Sequence, residues 1–320
     1  MDNLEQAKYI AKEIDGIDSQ IKLLQERKVK LAEELNKSNQ SPLLPEGQLF
    51  INKSNSQVDN FSSKSQKIIL LRDYFRGRDD VFAHRWVSKK TGKSGYSFVC
   101  KNEWTPRICN KPMTKCSDCP NREHVPLDDE VVRKHLGGIH AIGIYPMLKN
   151  ENCYFLVADF DKEGWMEDVC AFKETCLEEG VPIAIERSRS GNGAHAWIFF
   201  LEEVPAAMAR RLGSFLLTKT MSKRYQLDMK SYDRLFPNQD TLPKGGFGNL
   251  IALPFQKEST MRGNSLFIDE SGKPFEDQWK HLSSIQRMSL LDVERMTKEA
   301  SKNNQIIGVK MSPMDEEDPP

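Results

Sequence analysis

Two aspartates lie two positions apart in the stretch VADFD, which closes an apolar run from Cys153 to Asp161. A run of this length and composition predicts a buried strand, and residues two apart on a strand point from the same face. Asp159 and Asp161 can therefore share a divalent cation, because the cation removes the repulsion between two close carboxylates. Taken alone, the pair also fits metal-dependent glycosyl transfer or the capping of a loop.

A glycine-rich segment, ERSRSGNGAHAWIFF, follows this strand. Gly191 and Gly193 let the backbone approach a ligand closely, and Ser190 with the neighbouring amides can donate to phosphate oxygens. A glycine-rich hairpin with a structural histidine is the alternative, but next to a carboxylate pair the segment predicts a triphosphate-binding turn. The candidate nucleotide-binding residues in it are Arg187, Arg189, Ser190, Gly191, Gly193 and His195.

A third acidic residue, Asp233, stands in the segment SYDRLFPNQDTLPKGGFGNLIALP. The segment is too polar and too rich in glycine to be core, and residues such as Asn238 and Lys244 are of the type that contact sugars, phosphates or a template. We expect Asp233 to join the carboxylate pair and to complete a catalytic, metal-binding site. Asp240 is a rival candidate, which can also be explained as a turn cap.

Four of the seven cysteines are clustered, which in a chain of this size favours metal binding over a disulfide framework. Four thiolates suit a tetrahedral structural Zn²⁺, and zinc binding can fold such a loop outright. Buried free thiols and an iron-sulfur cluster are the alternatives. The predicted zinc ligands are Cys100, Cys109, Cys116 and Cys119.

The charge balance conceals a local basic patch. Lysine plus arginine equals aspartate plus glutamate at 46 each, so the whole chain exerts no net attraction on a polyanion. Between Arg85 and Arg122, however, nine basic residues stand against two acidic ones. Aromatic residues interleaved with this patch could stack on a single-stranded template, or could form a small core around the zinc; they are Trp86, Tyr96, Phe98 and Trp104.

Strands and helices must position these groups. We predict helices at 165–179 and 205–225, strands at 182–186, 194–201, 231–236, 250–254 and 265–269, and an amphipathic segment at 278–288. The order strand, helix, strand, strand, helix, strand predicts an α+β sheet with helices on one face.

The flanks differ in composition from this core. Apolar residues from Ala7 to Leu35 follow heptad spacing, which predicts a coiled coil for self-association or partner docking, with a helix that packs on its own domain as the alternative. The predicted domains are a coiled-coil helix at 1–37, a flexible linker at 38–66, a catalytic domain at 67–300 with a zinc module at about 96–124, and a disordered acidic tail at 301–320. No apolar run is long enough for a membrane span, so we expect a cytoplasmic protein with no membrane partner.

These motifs, in this order, resemble those of archaeo-eukaryotic primases and primase-polymerases: Asp159-Phe-Asp161, then Ser190-Gly-Asn-Gly-Ala-His195, then Asp233. The stretches FRGRDDVFAHRW, ERSRSGNGAHAWIFF and SYDRLFPNQDTLPKGGFGNLIALP resemble more narrowly the primase module of TOTE conflict systems, over about 71–288. The resemblance implies an RRM-like core of antiparallel or mixed sheet with the zinc module inserted in it. It also implies that the three aspartates bind two Mg²⁺ or Mn²⁺ ions and that His195 contacts the phosphates of the incoming nucleotide.

The resulting hypothesis is a DNA primase-polymerase, a nucleotidyltransferase that joins nucleoside triphosphates on a single-stranded DNA template. Since TOTE primase modules usually continue into a helicase and a nuclease, the resemblance also implies either a longer chain of which this is a fragment or a separate helicase or nuclease partner. The competing hypothesis is a non-catalytic nucleic-acid-binding subunit that uses the coiled coil and the zinc module for assembly.

Overall fold

The computed structural model describes residues 58–223 and 229–302 of the 320-residue chain. The predicted coiled coil, most of the predicted linker and nearly all of the predicted acidic tail lie outside these residues. The last part of the predicted linker is structured, since Val58 is buried in the core and the first described helix begins at Lys64. Ser63 and Gln66 form a capping box at the start of that helix.

The described part of the chain contains both strands and helices, and several strands follow one another in pairs. In chain order they are α1 (Lys64–Tyr74), β1 (Ala83–Val87), β2 (Ser94–Phe98), a 3-10 turn (Cys116–Asp118), α2 (Asp129–Leu136), β3 (Ile142–Ile144), β4 (Asn152–Asp161), α3 (Trp165–Glu178), β5 (Ala184–Arg187), β6 (Gly193–Pro205), α4 (Ala206–Lys223), β7 (Tyr232–Phe236), β8 (Ile251–Ala252), α5 (Lys257–Thr260), β9 (Leu266–Phe267), α6 (Gln278–Ser284) and α7 (Leu290–Lys302).

The strands form two antiparallel sheets. The larger sheet has the order β7-β4-β6-β5-β9 and the smaller one has the order β2-β1-β3-β8. The predicted α+β class is confirmed. The smaller sheet was not predicted, because β1, β2 and β3 are short and carry glycines, charges and histidine in place of a continuous apolar run.

Alternating side chains of the larger sheet enter two different cores. On β4, Leu156, Ala158 and Phe160 pack with α3, α4 and α7. Phe155 and Val157 point the other way, into a core shared with α1 and with the smaller sheet. Strand alternation therefore sends Asp159 and Asp161 to the side of the smaller sheet. Because both faces of β4 are buried, its register cannot shift without exposing apolar residues to water.

Candidate active site

Asp159 and Asp161 end β4 beside the first residues of β6. Asp159 is paired with His195 and Asp161 with Gly193. Trp197 and Phe199 of β6 belong to the same core as Phe155 of β4, and alternation places His195 on their side. The two carboxylates and the imidazole thus share one face of the sheet.

Asp233 reaches this group through an irregularity in β7. Asp159 is paired with Arg234, whereas the next residue of β4, Phe160, is paired with Tyr232. Asp233 is thus the extra residue of a β-bulge, a feature that re-aims side chains. Its charge helps to raise the pKa of Asp159, so the two carboxylates are within electrostatic reach. The structure therefore brings the three predicted acidic residues together.

The electrostatics of Asp159 are unfavourable in the absence of a cation. Burial raises the pKa of its carboxyl group, and the charges of Asp233 and Asp161 add to that effect, against His195 and Arg234, which lower it. Asp233 itself accepts a hydrogen bond from Arg234 Nε at 2.7 Å. Three carboxylates crowded in this way have the oxygen ligands and the negative charge that a hard divalent cation prefers.

His195 lies between two acidic side chains. Its Nε2 is 3.6 Å from Asp159 Oδ1, and its Nδ1 is 2.5 Å from Glu186 Oε2. Burial alone would lower the pKa of His195, but Glu186, Asp159 and Asp161 outweigh that effect and raise it to about 9. The ring is therefore positively charged at neutral pH, which suits a contact with an anionic ligand.

The glycine-rich turn joins β5 to β6. Gly191 has a φ of +85°, and an added Cβ there would lie 2.8 Å from Asn264 Oδ1. Asn264 Nδ2 also donates to the carbonyl of Arg189, and the Asn192 amide donates to Ser190 Oγ. The turn is thus held in a defined shape while Ser190 remains exposed at its tip. Such a turn can present amides and hydroxyls to phosphate oxygens.

Arg189 is joined by basic and phenolic groups from the smaller sheet. Burial lowers the pKa of Arg85 on β1, and the nearby charge of Arg189 lowers it further. Tyr96, the strand partner of Arg85, has a buried hydroxyl group. Burial raises the pKa of this group and outweighs the nearby charge of Arg189, which lowers it. Neither arginine forms a salt bridge within the described part of the chain. Two guanidinium groups held close together favour an anion.

Three predicted nucleotide-binding residues lie away from the three aspartates. The Arg187 guanidinium donates to the carbonyls of Gly272, at 2.7 Å, and Gly263, at 3.4 Å. Strand alternation puts it on the opposite face of the sheet from His195. Asn238 lies on the turn beyond the far end of β7, with its side-chain oxygen buried, and Lys244 is exposed further along the same loop. The structure does not bring these three to the acidic residues.

Sequence reasoning missed residues that hold the site in place. Asp168 on α3 accepts hydrogen bonds from the hydroxyl and the amide of Ser231, and the Ser231 carbonyl accepts the Asp161 amide at 2.6 Å. This chain of bonds fixes the start of β7 against the end of β4. Glu186 was missed as well, although it is the cross-strand partner of His195. A predicted hairpin register for β5 and β6 would have paired them.

The four clustered cysteines line a single cavity of about 20 Å³. The Glu123 amide donates to Cys100 Sγ at 3.3 Å. Among the described residues, however, no group of three or more His, Cys, Asp and Glu side chains has the geometry of a metal cluster. The three aspartates do not form such a group either. The four cysteines nonetheless share one cavity, and four thiolates are a donor set that suits Zn²⁺.

The aromatic residues of the basic patch differ in their surroundings. Tyr96 and Phe98 pack against Val81, Ala83 and Tyr145 in a small core of their own. Trp104 is 64% exposed on the cysteine-containing segment, and Lys111 Nζ lies 5.6 Å from its ring centroid. Trp104 is therefore exposed to solvent, whereas Tyr96 and Phe98 are packed among apolar residues.

The fold thus places an acidic cluster, a histidine and a glycine-rich turn together at one end of the larger sheet. A family model described as the TOTE conflict system, Archaeo-Eukaryotic Primase domain matches residues 66–296. Because this match covers well over half of the 320 residues, the chain belongs to that family.

Two further comparisons complete these findings. Among solved structures, the polymerase domain from Mycobacterium tuberculosis Ligase D in complex with DNA is similar, at 13% sequence identity and a TM-score of 0.34, over 75% of this chain and 89% of that chain. No curated protein gives a significant match. No helix among the described residues is both long and apolar enough to cross a membrane.

Gly193 provides a test of this geometry. An added Cβ there would lie 2.4 Å from the Phe160 carbonyl oxygen and 3.2 Å from Asp161 Cα. We expect Gly193→Ala to lower the free energy of unfolding by about 1–3 kcal/mol, as overpacking does, and to displace Asp161. Chemical denaturation measures the effect. The exposed Asn192→Ala is the control in the same turn, and an equal, small effect of both variants would contradict the close approach of β6 to β4.

Proposed function

We propose that this chain is a template-dependent primase-polymerase that joins nucleoside triphosphates on single-stranded DNA. The convergence of Asp159, Asp161, Asp233 and His195 on one face of the larger sheet carries this proposal. Membership of the TOTE conflict system primase family supports it independently.

In this proposal the three aspartates hold two Mg²⁺ or Mn²⁺ ions. When bound, such ions activate a hydroxyl nucleophile and stabilise the charge of the leaving pyrophosphate. The chain contributes the position of the ligands: β4 fixes Asp159 and Asp161, and the bulge together with Ser231 fixes Asp233. No protein nucleophile is needed, because positioning and charge stabilisation account for the catalysis.

The glycine-rich turn binds the triphosphate of the incoming nucleotide in the same proposal. Ser190 and the amides of Gly191 and Gly193 donate to phosphate oxygens, and the imidazolium of His195 donates through Nε2, which points toward Asp159. Arg189 and Arg85 supply positive charge from the two sheets. Water is excluded on one side by the aromatic core that begins at Trp197.

The remaining predictions belong to this proposal as well. Residues 67–300 form the catalytic domain, and the segment at about 96–124 binds structural Zn²⁺ through Cys100, Cys109, Cys116 and Cys119. Exposed Trp104 beside Lys111 serves as a stacking surface for the template. A coiled coil at 1–37 mediates self-association, and a helicase or nuclease is the partner in a conflict or defence system.

Primer extension tests the central activity. Wild-type protein with labelled primer, single-stranded DNA template and Mg²⁺ or Mn²⁺ should incorporate nucleotides, and an unprimed template tests initiation. Asp159→Ala with Asp161→Ala, or Asp233→Ala alone, should reduce the rate by about 100-fold or more, because several kcal/mol of charge stabilisation are lost. Asp240→Ala, which removes the rival carboxylate, should stay active. Template binding without any incorporation would instead indicate a non-catalytic subunit.

Thermal stability tests the metal site without relying on activity. Because burial and the charges of Asp233 and Asp161 outweigh His195 and Arg234 and raise the pKa of Asp159, the fold loses stability as the pH rises through that pKa and the group ionises. At pH 7.5 without divalent ions, the neutral Asp159→Asn variant should therefore melt at a higher temperature than wild type. At a Mg²⁺ concentration about 100 times the dissociation constant, wild type should gain about 2.7 kcal/mol, and Asp159→Asn should gain far less. Asp240→Asn is the matched control, and equal gains in all three proteins would contradict the site.

Metal analysis tests the cysteine module. Purified protein should contain one zinc per chain, and Cys116→Ser with Cys119→Ser should lose the zinc and the order of the segment, because zinc binding folds such loops. Cys170→Ser on α3 is the control and should keep its zinc. Four titratable thiols without zinc would contradict the site, and iron with acid-labile sulfide would replace it by an iron-sulfur cluster.

A further inference from the structure

Glu186 is a buried carboxylate to which the proposed reaction gives no part. It lies on β5, is 1% exposed, and is directly opposite His195 in the pairing of β5 with β6. No salt bridge joins it to a lysine or arginine within the described part of the chain. A buried carboxylate is costly unless its partners satisfy it, so its presence needs an explanation beyond packing.

Both hydrogen bonds of Glu186 end on the same oxygen. Oε2 accepts from His195 Nδ1 at 2.5 Å and from Trp197 Nε1 at 3.3 Å. Trp197 is fully buried, and its ring is stacked on Phe199 at 5.7 Å and edge-on to Phe75 at 4.8 Å. The carboxylate is thus anchored by an indole that cannot rotate, and it holds the imidazole in turn.

The hydrogen bond between Glu186 and His195 Nδ1 determines where His195 Nε2 points. With Nδ1 bound to Glu186, the ring plane is fixed and Nε2 faces Asp159 Oδ1 at 3.6 Å. Without the carboxylate, the ring could rotate about its side-chain torsions and lose that direction. In metal sites, a carboxylate that orients a ligating histidine through its other nitrogen contributes about 10- to 100-fold to affinity or activity.

We propose that Glu186 is a positioning residue that directs His195 Nε2 at the phosphates of the incoming nucleotide. This inference rests on the proposed function, because it assigns the same turn to the triphosphate. Glu186 acts through His195 alone and does not touch the nucleotide. The Trp197 indole completes the arrangement by fixing Glu186.

A double-mutant cycle on nucleotide binding tests this role. We expect Glu186→Ala to weaken the binding of a non-hydrolysable nucleoside triphosphate with Mg²⁺ by about 10- to 100-fold, and Glu186→Gln, which keeps an acceptor oxygen, to weaken it less. In a His195→Ala background, Glu186→Ala should have no further effect. Equal losses in both backgrounds, or no loss in either, would overturn the proposal.

Further measurements separate positioning from general damage to the fold. Template affinity should stay unchanged in Glu186→Ala and Glu186→Gln, and a parallel loss of template affinity would indicate a structural role only. Glu203→Ala removes a carboxylate at the far end of β6, where it accepts from Asn150 and Asn152, and should leave nucleotide affinity unchanged. In NMR spectra, a low-field His195 Nδ1 proton should be present in wild type and absent in Glu186→Ala; its absence from wild type would also overturn the proposal.

The same experiments distinguish the two proposals. If the nucleotide binds and the cycle behaves as expected but no template-directed extension occurs, the positioning role stands and the proposed polymerase function fails. If extension occurs but Glu186→Ala binds nucleotide like wild type, the proposed function stands and the positioning role fails.

Discussion

Repulsion between the carboxylates clustered at the end of β4 is the main electrostatic cost that this structure must offset. Asp159 lies close to both Asp161 and Asp233, with burial and both neighbours opposing its ionisation. A fold tolerates such a cluster only if the surrounding strands are held firmly and if a cation or ligand offsets the repulsion. The two cores on either face of β4 supply the first condition. The donor chemistry of the cluster points to the second.

The supporting residues form a connected layer around that cluster. On one side, Asp168 and Ser231 tie the start of β7 to the amide of Asp161. On the other side, Glu186 joins His195 to the aromatic core through Trp197. Asp161 and His195 are therefore each backed by a hydrogen-bond network inside the fold. Preorganisation of this kind is what positioning and electrostatic catalysis require.

The sequence predicted the site residues whose positions follow from the alternation of side chains along a strand. It did not predict the position of residues that depend on irregular backbone. The apolar run before Asp159 and the glycines before His195 predicted the central strands and their shared face. The bulge that re-aims Asp233 has no sequence signal of its own, since it arises from the pairing of β7 with β4. Arg187 was grouped with its neighbours by composition, yet alternation sends it to carbonyls on the opposite face. Charge and proximity along the chain could not show that Arg187 lies on the opposite face from His195, or that a bulge brings Asp233 near Asp159.

The central claim is that three carboxylates from two strands share one pair of cations. Crystals soaked with Mn²⁺ and a non-hydrolysable nucleotide, measured for anomalous scattering at the manganese edge, test it most directly. The account predicts manganese peaks with oxygen ligands from Asp159, Asp161 and Asp233. Manganese bound elsewhere, or held without Asp233, would contradict it.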